Sequence, residues 1–207
     1  MNKFSIIIPT LWKSPFLLEL LDELDKSELV GEIILVENKI NPEPLTYNKL
    51  IRVGLSENIY VNPAWNLGIS ISNNDLIGLC SDDILFSPNF LLENILKHSN
   101  LLGSFGVNPD SFKLTENSFN IKPGERIGGG WGSLLFLKKS MYVPIPNSLK
   151  IWYGDNWIAG TAGTPYNFTC PIKTKLSTTS NSPEFESVIK QDSLEWNKII
   201  HYYSKKQ

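Results

Sequence analysis

The stretch LIGLCSDDILF, residues 76–86, runs from an apolar segment directly into two adjacent carboxylates. The apolar part is typical of a buried strand, so Asp82 and Asp83 stand where that strand ends. Two like charges about 4 Å apart repel each other by roughly 4 kcal/mol at an effective dielectric constant near 20. Solvent, a shared proton or a cation must therefore offset the repulsion between these side chains.

Two further apolar runs with the character of buried strands precede this one. They are FSIII (4–8) and EIILV (32–36), and a segment with leucines at helical spacing separates them. Residues 64–72 have the spacing of a second helix. The alternation of strands and helices predicts an α/β fold with a mostly parallel sheet.

Polar residues follow each of these three predicted strands. Ligands of parallel sheets bind beyond the carboxyl ends of the strands. We therefore expect one rim of the sheet to carry Thr10, the pair Glu37-Asn38 and the run Ser81-Asp82-Asp83.

Length and composition fit an ordinary globular protein. The chain has 207 residues, of which 42% are hydrophobic and 19% charged, and its net charge of −2 does not favour a nucleic-acid partner. The strand and helix pattern thins out after about residue 100, so we expect a single domain (1–207) built from a front half (1–105) and an irregular back half (106–207). Cys80 and Cys170 are too few for a disulfide framework, and Cys80 is expected to be a buried apolar residue.

The sequence predicts neither an export signal nor a membrane span. The opening run MNKFSIIIPT is too short for a signal-peptide core, and no stretch approaches the roughly 18 apolar residues of a membrane span. The sequence thus predicts a soluble, cytoplasmic protein.

Four ordered segments of the front half resemble the GT-A glycosyltransferases, specifically the family 2-like group that uses nucleoside-diphosphate sugars. FSIIIPTL (4–11) resembles the opening strand and its nucleotide-contacting turn, and EIILVENK (32–39) the second strand and its base-contacting turn. NPAWNLGIS (62–70) is similar to the start of a family helix, and LCSDDILFSPNFL (79–91) to the DxD-type segment.

Two segments of the back half extend the resemblance. GGGWGSLLFLKKS (128–140) resembles the Gly-rich segment before the acceptor wall, and IWYGDNWIAG (151–160) the segment that presents the catalytic acid pair. The pair here is Gly154-Asp155, so Asp155 takes the position of the general base. Aromatic rings beside it would suit the apolar face of a sugar.

The resemblance implies an inverting, metal-assisted glycosyltransferase with a nucleoside-diphosphate sugar as donor, a UDP-sugar in the first place, and a glycan or other hydroxyl compound as acceptor. A divalent cation, Mn²⁺ or Mg²⁺, would bind Asp83. The implied donor contacts are Pro9, Thr10, Leu11, Glu37, Asn38, Asn66, Ser81 and Asp82, and the implied acceptor contacts are Gly130, Trp131, Trp152 and Trp157.

The chain also departs from the family pattern. Ser81 stands in place of the first Asp of the DxD segment, Gly154 in place of one catalytic acid, and Trp65 where an Arg is common. Thr178 and Thr179 lie where many relatives have a His. The changes at Ser81 and Gly154 leave a non-catalytic sugar-nucleotide or glycan-binding module as an alternative.

Two enzyme classes with related architecture fit the sequence less well. A sugar-phosphate nucleotidyltransferase needs a Gly-rich basic loop after the first strand, and PTLWKSP (9–15) has no glycine. A phosphatase with a nucleophilic Asp needs that residue at the end of the first strand, where Pro9-Thr10 stands instead.

Overall fold

The computed structural model describes residues 2–41, 43–175 and 182–203. Its strands are β1 (Phe4–Thr10), β2 (Val30–Glu37), β3 (Leu50–Gly54), β4 (Leu76–Cys80), β5 (Ile84–Leu85), β6 (Gly103–Val107), β7 (Asn120–Pro123), β8 (Leu134–Lys138), β9 (Thr164–Thr169) and β10 (Lys173–Thr174). Its α-helices are α1 (Leu17–Lys26), α2 (Val61–Ile71), α3 (Pro88–Lys97), α4 (Gly154–Thr161) and α5 (Glu186–Tyr203). Four short 3₁₀ segments lie in the second half of the chain.

Eight strands form one sheet in the order β3-β2-β1-β4-β8-β6-β9-β7. The first four are mutually parallel, β8 pairs antiparallel with both β4 and β6, and β9 is again parallel to β6. The predicted mostly parallel α/β sheet is confirmed. Strands from both halves of the chain contribute to it, and a separate ribbon pairs β5 with β10.

Successive side chains of β1 enter two different cores, as the twofold period of a strand requires. Ile6 and Ile8 pack with α1 and α3 on one face, whereas Ile7 packs with α2 and α4 on the other. All three are fully buried. The near-continuous apolar runs in the sequence therefore arise because both faces of the sheet are covered.

A close approach of α2 to β1 depends on Gly68. A Cβ at this position would lie 2.4 Å from Cγ2 of Ile7, closer than nonbonded carbon atoms come. Helix α2 thereby packs directly against β1. Within the described residues, no helix is both long enough and apolar enough to cross a membrane.

Candidate functional site

A cavity of about 600 Å³ opens at the carboxyl ends of β1 and β4, where the sequence predicted a ligand rim. One wall comes from these strand ends and the other from residues 126–133 and 151–156. Its volume is typical of a small-molecule site. The cavity brings together ten of the predicted site residues: Pro9, Thr10, Leu11, Asn38, Ser81, Asp82, Asp83, Gly130, Trp152 and Asp155.

The two strand ends are tied together by Asp82. The Thr10 hydroxyl donates a hydrogen bond of 2.6 Å to Oδ2 of Asp82, and Oγ1 of Thr10 in turn accepts one from the backbone N–H of Trp12. Burial raises the pKa of Asp82 above its usual value, although the Thr10 hydroxyl and a backbone N–H oppose that change. A cation beside this carboxyl group would favour its charged form.

Asp83 is 9% exposed and lines the same cavity. Its backbone carbonyl accepts hydrogen bonds from the N–H of Lys175 and the hydroxyl of Thr174, both 3.2 Å long. The β5–β10 ribbon thus fixes the chain at Asp83.

The donor set at this wall fits a hard divalent cation. Carboxylate oxygens are the ligands that Mg²⁺ and Mn²⁺ prefer, and such sites often take their remaining ligands from substrate phosphates and water. No cluster of three or more His, Cys, Asp or Glu side chains occurs in the described part of the chain. Asp82 and Asp83 alone supply fewer ligands than such an ion takes, so water or a bound ligand would have to supply the rest.

Asp155 stands on the opposite wall, in the first turn of α4. Its Oδ1 accepts from the backbone N–H of Asn156 at 3.0 Å, and its Oδ2 accepts from Nε of Arg126 at 2.7 Å. A Cβ at Gly132 would lie only 2.7 Å from Cβ of Asp155, so glycine is needed there to let the two segments meet. Asp155 is thus held from three sides at the cavity wall.

Gly154, the departure from an acidic pair, also has a steric reason. A Cβ at this position would lie 2.0 Å from Oδ1 of Asn62, a fully buried side chain of α2. Nδ2 of Asn62 donates to the carbonyl of Trp152 at 3.1 Å. The space that a second acidic side chain would need is therefore filled by Asn62.

Asp192 of α5 supports the wall and was not predicted from the sequence. Its carboxylate, which is fully buried, accepts three backbone N–H groups: Lys150 at 2.8 Å, Ile151 at 2.7 Å and Trp152 at 2.8 Å. The ring of Tyr153 stacks on Trp196, also on α5, with centroids 5.2 Å apart. An Asp within a helical pattern ordinarily indicates a solvated position, so no local signal distinguished it.

Aromatic side chains dominate the end of the cavity near α2. Trp65, which replaces the expected Arg, is 5% exposed and lines the cavity. Tyr60 has a positive φ of 70° and meets Phe185 edge to face at 6.2 Å. Oδ1 of Asn38 accepts from the backbone N–H of Ile59 at 3.0 Å, which ties this region to the end of β2. This end of the cavity suits a flat ring better than a phosphate.

Two predicted donor contacts do not line the cavity. The Glu37 carboxylate is 2% exposed and bound by Arg52, through Nε at 3.0 Å and Nη2 at 2.7 Å, and by the indole N–H of Trp12. The Asn66 side chain bonds both the backbone N–H and the carbonyl of Ile145. Both polar groups are engaged in hydrogen bonds within the protein.

Two predicted acceptor contacts do not line the cavity either. Trp131 is fully buried, and a Cβ at Gly106 would lie 2.0 Å from its ring, so it is a core residue. The indole N–H of Trp157 donates to the Val143 carbonyl at 3.0 Å, and its ring packs against the core on the α2 side. Thr178 and Thr179 lie outside the described residues.

Comparison with known proteins identifies the fold. The sequence matches no protein-family model and no curated protein sequence. Similar solved structures include S. aureus TarS (15% identity, TM-score 0.62, covering 93% of this chain and 39% of that one). TarS residues 1–349 in complex with UDP-GlcNAc match at 13% identity and a TM-score of 0.61, covering 93% of this chain and 66% of that one.

A second similar structure is the mannosyltransferase PcManGT from Pyrobaculum calidifontis in complex with GDP-Man and Mn²⁺ (15% identity, TM-score 0.58, covering 82% of this chain and 55% of that one). The chain therefore has a GT-A-like glycosyltransferase fold, as its sequence motifs predicted. It spans between about two fifths and two thirds of the length of these structures.

Proposed function

We propose that the protein is an inverting glycosyltransferase that moves a sugar from a nucleoside-diphosphate sugar to an acceptor hydroxyl group. The observation that carries the proposal is the arrangement of carboxylates around one cavity. Asp82 and Asp83 lie on the strand-end wall, and Asp155 lies on the facing wall. The similar structures, described with UDP-GlcNAc and with GDP-Man, support a sugar nucleotide as the ligand class.

The donor would lie across the strand ends. Its base would occupy the aromatic end of the cavity, near Asn38, Tyr60 and Trp65, and its ribose and diphosphate would pass Pro9, Thr10, Leu11 and Ser81. A UDP-sugar is the first donor to test. TarS is described with UDP and UDP-GlcNAc, although the mannosyltransferase holds GDP-Man.

Asp83, assisted by Asp82, would hold a divalent cation, and Mn²⁺ is the ion described in the mannosyltransferase. When bound, the cation would neutralise the charge that develops on the diphosphate as the glycosidic bond breaks. The residues on this wall would supply its carboxylate ligands and keep the phosphates at the strand ends.

Asp155 would act as the general base. The acceptor hydroxyl loses its proton to the Asp155 carboxylate while its oxygen bonds to the anomeric carbon. At the same time, the bond from that carbon to the phosphate oxygen breaks, and the nucleoside diphosphate leaves with the electron pair. A single displacement inverts the anomeric configuration. Holding both substrates in one cavity supplies a further part of the rate.

The acceptor would enter beside Gly130 and Trp152, the two predicted acceptor contacts that line the cavity. Trp152 offers a flat apolar ring next to Asp155, which suits the face of a glycan ring. The net charge of −2 makes a nucleic-acid acceptor a poor match.

Thermal unfolding with a panel of nucleoside diphosphates and sugar nucleotides, with and without Mn²⁺, tests the proposal. A ligand at 100 times its dissociation constant stabilises the folded state by about 2.7 kcal/mol. We expect a Mn²⁺-dependent stabilisation that Asp83→Asn loses and that Asp110→Asn, at an exposed site away from the cavity, keeps. A folded sample that responds to no nucleotide would refute it.

A further inference from the structure

We propose that Arg126 is a second phosphate-binding group, which rests on Asp155 before the donor binds and moves to the donor diphosphate afterwards. The exchange would release the general base only once a donor is present. This inference depends on the proposed function and adds an order of events to it: the donor binds first, and only then can the acceptor be activated.

The contact between Arg126 and Asp155 is the first observation. Nε of Arg126 lies 2.7 Å from Oδ2 of Asp155, and the two side chains are 26% and 16% exposed. Oδ1 of Asp155 already accepts from the backbone N–H of Asn156. Both carboxylate oxygens are therefore engaged, and an acceptor hydroxyl would compete with a guanidinium for Oδ2.

The balance of charge in the cavity is the second observation. Among the described side chains that line it, three are carboxylates (Asp82, Asp83 and Asp155) and one, Arg126, is a cation. A diphosphate brings further negative charge into this cavity. A cation at Asp83 would offset part of that charge, and among the described lining residues Arg126 is available for the rest. Guanidinium groups bind phosphate oxygens through two parallel hydrogen bonds, so phosphate competes well with a carboxylate for Arg126.

The loop that carries Arg126 is the third observation. Residues 122–129 are exposed except for Arg126, which is turned into the cavity. Gly124 and Gly129 have positive φ values of 155° and 73°, and a Cβ at Gly128 would meet no atom within 4 Å. The residues around Arg126 are therefore exposed, so a change in the direction of its side chain would displace no core residue.

The two ends of this loop are held. Nδ2 of Asn167 donates to the carbonyls of Gly124 and Glu125 at 3.4 Å and 3.0 Å, and Ser133 donates to the carbonyl of Gly130 through both its backbone N–H and its hydroxyl. The span of loop that must adjust is short, so Arg126 stays next to the cavity throughout.

A double-mutant cycle on nucleotide binding tests the exchange. The dissociation constant of UDP with Mn²⁺, or of GDP if that nucleotide gives the larger thermal stabilisation, is measured by calorimetry for wild type, Arg126→Ala, Asp155→Ala and the double variant. Lys122→Ala is the matched control because it removes an exposed cation from the adjoining strand β7.

We expect Arg126→Ala to weaken nucleotide binding by about 10- to 100-fold, the range for a lost hydrogen-bonded charge contact, and Lys122→Ala to change it by less than about twofold. Asp155→Ala should tighten binding about fivefold, because Arg126 no longer has to leave a carboxylate. In the Arg126→Ala background, the same Asp155 substitution should have no effect.

Two results would overturn the exchange while leaving the proposed function intact: wild-type affinity in Arg126→Ala, or a tightening by Asp155→Ala that persists without Arg126. The second result would show that removing the negative charge of Asp155 strengthens nucleotide binding whether or not Arg126 is present. A folded wild-type protein that binds no nucleoside diphosphate would overturn the proposed function and this inference together.

Discussion

Replacing Asp192 by Asn should destabilise the protein more than any exposed Asp→Asn change. The carboxylate is fully buried, and two of its three backbone partners, the N–H groups of Ile151 and Trp152, share Oδ2. An amide keeps one acceptor oxygen and replaces the other with an NH₂ group that can only donate. One or two hydrogen bonds to a charged acceptor are then lost, and the NH₂ group of the new side chain faces a backbone N–H group, so that two donors oppose each other.

Hydrogen bonds to charged groups contribute about 1.5–3 kcal/mol each, so we expect a loss of about 3–5 kcal/mol in the free energy of unfolding. Urea denaturation measures it as a lower midpoint with an unchanged slope. Asp110→Asn, in a surface pair with Lys113 at 3.6 Å, should change stability by less than about 0.5 kcal/mol. A loss below about 1 kcal/mol in Asp192→Asn would refute the view that this side chain holds the cavity wall.

Three other substitutions or treatments have definite expected results. Gly154→Ala should lower the free energy of unfolding by about 1–3 kcal/mol because its Cβ would collide with Asn62. Gly160→Ala in the same helix, where a Cβ meets no atom within 4 Å, should be neutral or stabilising. Equal effects of the two substitutions in urea melts would contradict the steric argument. Burial alone would raise the pKa of Glu32, but hydrogen bonds from Ser5 and Asn73 outweigh burial and lower the pKa. Glu32 therefore stabilises the fold at neutral pH and loses that contribution as the pH falls below about 4.5. The difference in free energy of unfolding between wild type and Glu32→Gln, measured in urea melts, should shrink from pH 7 to pH 4. Burial raises the pKa of Cys170 to about 12 and that of Cys80 well above its usual value. A thiol reagent should therefore label neither cysteine in the native protein and both after denaturation. Fast labelling of the native protein would contradict this, because it would show that one of the two thiols is accessible.

The sheet and the strand-end wall could be predicted because their signals are local. Apolar runs such as LIGLC (76–80) are long enough to form strands covered on both faces, and polar residues at their ends must meet at one edge. The placement of Thr10 beside Asp82 follows from that topology alone. The burial predicted for Cys80 is confirmed for the same reason.

The predicted site residues that do not line the cavity make contacts with distant segments instead. Glu37 is the last residue of β2, yet Arg52, 15 residues later, binds its carboxylate. Trp131 belongs to the Gly-rich segment that resembles the one before the acceptor wall, yet its ring is buried in the core, in space that a Cβ at Gly106 would occupy. Sequence spacing cannot distinguish a polar or aromatic group that faces a ligand from one that is satisfied by another part of the chain.

Asp192 is the opposite case: no sign in the sequence indicated a role that the structure shows. Its helical surroundings in the sequence indicate a surface position. It is a buried hydrogen-bond acceptor because residues 150–152, from a distant part of the chain, pack beside α5. The departures at Ser81 and Gly154 raised the alternative of a binding module. Gly154 is explained by the buried Asn62 side chain and does not by itself argue against catalysis.

The most direct test of the proposed reaction is the consumption of sugar nucleotides by wild type and Asp155→Asn in the presence of Mn²⁺, with water or a panel of glycans as acceptor. Release of nucleoside diphosphate is measured together with the anomeric configuration of the new product by proton NMR. We predict that wild type consumes a donor with inversion, and that Asp155→Asn binds the nucleotide but turns over at least about 100-fold more slowly. Equal turnover by the two proteins would contradict the role of Asp155. A wild-type protein that binds nucleotide but consumes no donor with any acceptor would instead be a binding module.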